Sequence, residues 1–349
     1  MQILFQLRLK KIFILLLIIG LFSCSKENFN LNNLNETIYV RHKNADMPAH
    51  IHGNGSEKIF LILLHGGPGG DGLGLRTNTF KTKIEKNNAV VYFDQRGSGN
   101  SQGNYSVKDL DIDLMVEDVL ALVKVIKYKY GNDSKFFLLG HSWGGALGTA
   151  TLLKNQNEFL GWIEVCGGHN THGLFDEYKK VLPQTANEQI ALGNNVDYWQ
   201  NVLNVVQSTD SDFNIKNFTE LNNIAITSEE ILATDGVINA LQFKGYNPLK
   251  SNLFLFRWNE RRTGVIFVYE KGFNEINFTN RLHEITIPSQ ILWGKYDLTV
   301  PLVFGYEAFD SIGSVNKEIF VFEKSAHSPF ATEPDLFADK VMGFINKHK

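Results

Sequence analysis

KFFLLGHSWGG, residues 135–145, is the most informative segment of this chain. Its first five residues form an apolar run typical of a buried strand, and the small and apolar residues 146–153 after it predict a helix. A G-x-S-x-G segment between a strand and a helix makes a sharp turn that lifts the serine hydroxyl above the sheet edge. Glycine flanks the serine because the nearby helix leaves no room for a β-carbon. The stretch therefore predicts that Ser142 is a nucleophile.

Two other segments with several glycines follow predicted strands. HGGPGG at residues 65–70 follows an apolar run, and so does DQRGSG at residues 94–99. The first segment can direct backbone N–H groups at a developing oxyanion, beside the N–H of Trp143; the alternative is a tight surface loop. We interpret the second segment as structural, with Asp94 and Arg96 paired to hold the loop. Neither segment has the spacing of a phosphate-binding loop.

A serine hydroxyl becomes nucleophilic only when a base takes its proton, and a carboxylate usually orients that base. Asp297 follows the strand-like run 289–293, and His327 follows the strand-like run 318–322. Sites in open α/β sheets form at the carboxyl edge of the strands, so we expect both side chains near Ser142. A single histidine can also be solvated or part of a core. Glu323 is a competing acid, but it lies so close to the strand and to His327 that we expect a structural role.

These segments together resemble the proline iminopeptidase branch of the α/β-hydrolase superfamily. The proline in the HGGPGG loop and the tryptophan after the nucleophile are similar to that branch in particular. The resemblance implies a catalytic triad of Ser142, Asp297 and His327. It also implies that the backbone N–H groups of Gly67 and Trp143 form the oxyanion hole. No cofactor is needed for this chemistry.

The resemblance covers residues 37–168 and 284–349, which we predict to be two parts of one α/β-hydrolase core. A mostly parallel sheet with flanking helices is expected, because strand patterns alternate with helical patterns before the serine. The chain has 349 residues and is 43% hydrophobic, which is enough for a large core. The clearest helix is predicted from Leu110 to Tyr130.

Residues 169–283 break this alternation and predict an inserted, helical cap. Apolar spacing indicates short amphipathic helices at 196–203 and 224–232. An aromatic cluster in this region either packs the cap onto the core or lines a substrate pocket; it consists of Phe254, Phe256, Trp258, Phe267 and Tyr269.

An aminopeptidase must recognise the free ammonium group of its substrate, and a partly buried ammonium needs a carboxylate partner. We therefore expect at least one cap glutamate to bind the amine. Glu260 and Glu270 are the candidates that the sequence offers, although a solvated helix face explains most such carboxylates.

The amino-terminal residues predict export. Basic residues precede the apolar run 12–22, which has the length of the central region of a signal peptide and is short for a membrane span. The run ends in Leu-Phe-Ser-Cys, which resembles a lipoprotein signal-peptidase box. We predict a signal peptide over residues 1–23, a lipid on Cys24, a flexible tether over residues 24–36 and a location on a bacterial membrane, at its periplasmic or surface side. The alternative is an ordinary signal peptide or an uncleaved anchor with an incidental cysteine.

Several other classes of function are disfavoured by the sequence. A net charge of −3 with no basic tract beyond the leader argues against a nucleic-acid-binding protein. No metal site is predicted, since His169 and His172 are a pair without further ligands. Cys166 is expected to be a buried small residue, and with Cys24 lipidated no disulfide can form. The oligomeric state is not predicted.

Three functions remain open at this level. The first is an aminopeptidase that cleaves a small peptide through an acyl-enzyme, and the second is a carboxylesterase that uses the same triad on another acyl substrate. The third is a non-catalytic binding module, which the complete set of serine, acid, histidine and glycine loop disfavours.

Overall fold

A computed structural model describes residues 30–106, 109–242 and 276–349 of the chain. Cys24, Glu260, Glu270 and the predicted aromatic cluster of the cap lie outside the described residues. Helices and strands are numbered separately in chain order.

Nine strands of the described chain form one sheet. The sheet order is β1-β2-β4-β3-β6-β7-β8-β9, and β5 pairs with β2. Strands β3, β4 and β6 to β9 are parallel to their neighbours in this group, which confirms the expected mostly parallel α/β sheet. The strands are β1 Leu34–His42, β2 Ala45–Gly53, β3 Ile59–Leu64, β4 Ala89–Phe93, β5 Gln102–Gly103, β6 Lys135–His141, β7 Phe159–Val165, β8 Ser289–Gly294 and β9 Lys317–Phe322.

The central strands are apolar because helices cover both faces of a parallel sheet. Every residue of β3 (IFLILL) and of β4 (AVVYF) is buried. The helices are α1 Ile112–Tyr130, α2 Trp143–Asn155, α3 Thr171–Leu192, α4 Val196–Ser208, α5 Ile215–Thr234, α6 Leu302–Ser311, α7 Pro329–Thr332 and α8 Pro334–His348. Within the described ranges, no helix is both long and apolar enough to cross a membrane.

The amino-terminal strand corrects one boundary of the sequence analysis. The predicted tether over residues 24–36 ends too late, because Leu34, Asn35 and Glu36 already belong to β1 and pair with β2. Glu36 also accepts a hydrogen bond of 2.6 Å from Tyr130 Oη. The asparagine-rich composition is typical of a flexible segment. In the structure, however, the backbone N–H and C=O groups of these three residues can form hydrogen bonds with the antiparallel strand β2.

Helix α1 shows why predicted boundaries shift by a few residues. Its predicted start was Leu110, whereas the observed helix begins at Ile112 because the side chain of Asp111 caps it, accepting a hydrogen bond from Leu114 N at 2.9 Å. Its end at Tyr130 agrees with the prediction, since Gly131 follows with φ of 123°.

Three helices of the described chain, α3 to α5, lie between β7 and β8. The predicted helix at 196–203 corresponds to α4, which continues to Ser208. The predicted helix at 224–232 is part of α5, which begins nine residues earlier, at Ile215. The side chain of Asn214 caps the start of α5 by accepting a hydrogen bond from Asn217 N. The spacing of apolar residues does not reveal a polar cap of this kind, so the helix is longer than predicted.

The chain leaves and re-enters the core at a neck around His169. The carbonyl oxygen of His169 accepts a hydrogen bond of 2.8 Å from Phe278 N, and Thr171 N donates to Ile276 O at 3.0 Å. The imidazole of His169 is fully buried between two carboxylates, with Glu164 at 3.7 Å and Glu307 at 3.8 Å. Burial alone would lower the pKa of His169, but the two glutamates outweigh burial and raise the pKa to about 9.

We expect the charge on His169 to make stability dependent on pH. A histidine whose pKa rises from 6.5 to about 9 on folding stabilises the protein fully below pH 6.5, and this contribution disappears as the pH rises through about 9. His169→Gln should therefore be less stable than the unmodified protein at neutral pH. Its free energy of unfolding, measured by chemical denaturation, should also fall much less between pH 6.5 and pH 9. His172→Gln is the control, since His172 is exposed and stacks on Phe213. An unchanged pH dependence in His169→Gln would contradict the assignment.

Candidate active site

Ser142 occupies a strained turn between β6 and α2. Its φ of 56° and ψ of −121° lie outside the regions that serine normally adopts. A β-carbon on Gly140 would lie 2.2 Å from the carbonyl oxygen of Gly144, and one on Gly144 would lie 2.0 Å from the carbonyl oxygen of Leu64. Both flanking positions therefore require glycine, as the G-x-S-x-G pattern predicted.

The predicted acid and base contact each other. His327 Nδ1 lies 3.0 Å from Asp297 Oδ2 and 3.2 Å from Oδ1, and Asp297 is 2% exposed. An imidazole that donates from Nδ1 to a carboxylate leaves Nε2 free to accept a proton. Asp297 Oδ1 also accepts from Val300 N at 2.7 Å, which fixes the carboxylate. Ser142 and His327 line the same cavity.

The charge on Asp297 determines the basicity of His327. Burial lowers the pKa of His327, but the negative charge of Asp297, its hydrogen bond and the charge of Glu229 together outweigh burial and raise the pKa above its ordinary value. His327 is thus a stronger base than a free imidazole, which suits proton transfer from a serine hydroxyl.

His141, directly before Ser142, connects the turn at Ser142 to the loop that carries His327. Its Nε2 donates a hydrogen bond of 2.8 Å to the carbonyl oxygen of His327, and the two ring centroids are 4.8 Å apart. Burial is the main cause that lowers the pKa of His141 to about 3, and the nearby His327 is the second cause. His141 therefore stays neutral near pH 7 and acts as a hydrogen-bond donor, a role that the sequence analysis did not predict.

The two predicted oxyanion donors, Gly67 and Trp143, line the cavity beside Ser142. Gln95 joins the segments that carry them. Its Nε2 donates to His65 O at 2.9 Å, and its Oε1 accepts from the indole nitrogen of Trp143 at 3.0 Å. The DQRGSG turn thus holds the glycine loop against the nucleophile turn. That the N–H groups of Gly67 and Trp143 bind an oxyanion stays a prediction.

The expected pairing of Asp94 with Arg96 is wrong. Asp94 accepts hydrogen bonds of 2.8 Å from the backbone N–H groups of Gly72 and Asn100, while Arg96 donates to Asp118 on α1 at 2.7 and 2.8 Å. Arg96 is fully buried and Asp118 is 1% exposed, so each charge needs the other. The sequence suggested the nearest carboxylate, whereas the fold supplied one from a neighbouring helix.

Glu323 and Cys166, two further residues of the sequence analysis, have the structural environments that were expected of them. Glu323, the competing acid, lies at the surface and pairs with Lys295 at 2.7 Å. Cys166 is buried, and its sulfur lies with one atom each of Asp297 and His327 in a group that spans at most 4.8 Å. Burial is the main cause that raises the pKa of the Cys166 thiol, and the negative charge of Asp297 is the second cause. The thiol therefore stays neutral behind the acid and the base.

The described residues line a cavity of about 840 Å³ above Ser142. The glycine loop, the turn at Ser142 and His327 line it. Helices α3 and α5 of the predicted cap, with the residue that caps α3, also line it through Asn170, Thr171, Leu174, Phe218, Asn222, Ile226 and Glu229.

Glu229 on α5 is the site residue that the sequence analysis missed. Its Oε1 accepts from Leu298 N, Thr299 N and Thr299 Oγ1, each at 2.9 Å, and its Oε2 accepts from His327 N at 3.2 Å. Burial and the neighbouring charge of Asp297 raise the pKa of Glu229 to about 7. The sequence contains a signal for it, because Ala225, Glu229 and Leu232 have the i, i+4, i+7 spacing of one helix face, and the apolar members of that face are buried.

Comparisons with known proteins agree with this fold. The family model of the alpha/beta hydrolase fold matches residues 59–334. The chain belongs to the α/β-hydrolase family. It is 24% identical to a probable aminopeptidase of Bacillus subtilis, and the match covers 85% of this chain and 92% of that protein. It is 28% identical to a proline iminopeptidase of Saccharolobus solfataricus, and that match covers 82% of this chain and 84% of the relative. Its fold is similar to the crystal structure of a proline iminopeptidase-related protein of Thermus thermophilus, with a TM-score of 0.61, 20% identity and coverage of 90% and 98%.

We expect Ser142→Ala to abolish both turnover and labelling by a fluorophosphonate probe. Loss of the nucleophile should reduce kcat by about 10⁴-fold or more, while circular dichroism and thermal unfolding stay close to those of the unmodified protein. Ser328→Ala is the matched control, because Ser328 lines the same cavity and should retain labelling. Labelling that persists in Ser142→Ala would place the nucleophile elsewhere.

Proposed function

We propose that this protein is a serine aminopeptidase of the proline iminopeptidase type, which releases an N-terminal residue from a small peptide through an acyl-enzyme. The observation that carries the proposal is the carboxylate of Glu229, which the cap places in the same cavity as Ser142 and His327. A substrate whose amino group must be charged needs such a partner close to the scissile bond.

The reaction uses groups of this chain alone. His327 Nε2 takes the proton of Ser142 Oγ as the serine oxygen attacks the carbonyl carbon of the substrate. The N–H groups of Gly67 and Trp143 stabilise the oxyanion, and Asp297 stabilises the imidazolium. His327 then protonates the leaving amine, and it later activates the water that hydrolyses the acyl-enzyme.

Glu229 is the residue that we propose as partner of the substrate ammonium. Its Oε1 already accepts three hydrogen bonds, whereas Oε2 accepts one long bond and retains capacity for another donor. A substrate cation beside it also compensates the repulsion from Asp297. Glu260 and Glu270, the candidates from the sequence, lie outside the described residues and stay predictions.

Amino-terminal acetylation of a good aminoacyl-naphthylamide substrate should remove most of the rate. Acetylation deletes the positive charge and leaves the cap carboxylate without its partner, so we expect kcat/KM to fall about 10- to 100-fold. A panel of p-nitrophenyl esters of several chain lengths is assayed alongside. Equal turnover of free and acetylated substrates, or faster turnover of simple esters than of any peptide, would favour the alternative, a carboxylesterase with the same triad.

We also propose that the protein is exported and held on a bacterial membrane by a lipid on Cys24. The support is the order of three features in the sequence: the basic residues Arg8, Lys10 and Lys11, the apolar run 12–22, and the cysteine that follows it. One acyl chain alone binds membranes weakly, whereas several chains on one cysteine give stable anchoring.

Mass spectrometry of the mature amino terminus should detect a lipid-modified Cys24. Cys24→Ser should move the protein from the membrane fraction to the soluble fraction, because the variant lacks the thiol that carries the lipid. Cys166→Ser is the control and should stay in the membrane fraction, since Cys166 is buried in the folded domain. An unmodified amino terminus at another residue would contradict the lipoprotein proposal.

A further inference from the structure

Two separate loops carry the acid and the base of the predicted triad, and one side chain of the cap binds both. Asp297 lies in the loop after β8, and His327 lies in the loop after β9. Glu229 accepts hydrogen bonds from Leu298 and Thr299 of the first loop and from the backbone N–H of His327 in the second. Leu298 and Thr299 are the two residues that follow Asp297, and His327 is the base itself, so each bond ends within two residues of a catalytic side chain.

A second cap helix binds the acid loop at the same residue. Tyr178 on α3 donates a hydrogen bond of 2.7 Å from its hydroxyl to the carbonyl oxygen of Thr299. The same hydroxyl lies 2.8 Å from the side-chain amide of Asn222 on α5. Thr299 is therefore held on both its N–H and its C=O side by helices of the cap.

The chemistry of the four donors suits a carboxylate and no neutral side chain. Leu298 N, Thr299 N, Thr299 Oγ1 and His327 N all present hydrogens to Glu229, and two oxygens without hydrogens can accept them together. Glutamine has one such oxygen. Its amide nitrogen would place hydrogens against either the acid loop or the N–H of His327, leaving a buried donor without an acceptor.

We propose that Glu229 is a positioning residue, which joins the acid loop and the histidine loop to the cap and holds Asp297 and His327 in their catalytic geometry. The proposal rests on the serine hydrolase chemistry of the proposed function, but it is independent of the preference for a free amine. In this arrangement the cap is part of the catalytic scaffold as well as a wall of the substrate cavity.

The charge of Glu229 also affects the base. The groups that face His327 are Asp297, Glu229, the neutral imidazole of His141 and the neutral thiol of Cys166. Removal of one of the two negative charges lowers the pKa of His327, because the imidazolium loses part of its stabilisation. The acidic limb of the rate profile should then move to lower pH.

The decisive experiment compares Glu229→Gln with the unmodified enzyme on p-nitrophenyl acetate, which carries no ammonium group. Misplacement of the base should reduce kcat by about 10- to 100-fold with little change in KM, and the acidic limb of kcat/KM should shift to lower pH. Glu220→Gln is the matched control on the same helix, since Glu220 is exposed and lies outside the cavity wall. Its kcat should equal that of the unmodified enzyme.

Thr299→Val provides a second test that leaves the carboxylate of Glu229 in place. It removes one of the four donors, so we expect a smaller loss of kcat on the same ester, about 3- to 10-fold. Circular dichroism and thermal unfolding establish that each variant is folded. If Glu229→Gln does not fold, the Thr299→Val result decides.

The positioning role is overturned if the folded variants retain the unmodified kcat on the ester. A loss confined to aminoacyl substrates in Glu229→Gln would show that Glu229 binds only the amine, which also overturns the positioning role. The proposed aminopeptidase function fails on a different measurement, equal turnover of free and acetylated substrates by the unmodified enzyme, so the two failures are distinguishable.

Discussion

The close approach of backbone segments around Ser142 is the constraint on which the rest of the site depends. Gly140 lies against the carbonyl of Gly144, and Gly144 lies against the carbonyl of Leu64 at the end of β3. Gly66 is packed so tightly that a β-carbon would lie 3.0 Å from the β-carbon of Ser142. This contact brings the glycine loop beside Ser142, and the cost of a positive φ at Ser142, on the order of 1–3 kcal/mol, is offset by the surrounding packing.

A balance of buried charges follows from that geometry. Asp297 contacts the imidazole of His327, and Glu229 accepts a hydrogen bond from the backbone N–H of the same residue, so two carboxylates lie beside the base. Burial and the negative charge of Asp297 raise the pKa of Glu229, and the two carboxylates together raise the pKa of His327 against the effect of burial. His141 is held neutral, so it binds the histidine loop without adding a charge that would oppose the imidazolium.

Helices α3 to α5, which belong to the predicted cap, contribute to this balance. They lie between β7 and β8, and the chain at His169 is held by the backbone bond to Phe278 and by two glutamates around the imidazole. Tyr178 on α3 donates to the carbonyl oxygen of Thr299 in the loop after β8. Glu229 on α5 accepts from Thr299 N in that loop and from His327 N in the loop after β9, so one carboxylate joins the two loops.

The sequence by itself determined the class of fold and the three residues that the structure brings to one edge of the sheet. Ser142, Asp297 and His327 each follow a strand of the parallel sheet, and sites in open α/β sheets form at the carboxyl edge of the strands. The sequence could not determine the partner of Arg96 or the role of Glu229. Both depend on which helix face lies against which loop, so Asp118, Leu298 and Thr299 become partners only in the tertiary structure. Side-chain periodicity indicates that a helical face is buried, but it carries no information about the surface on which that face packs.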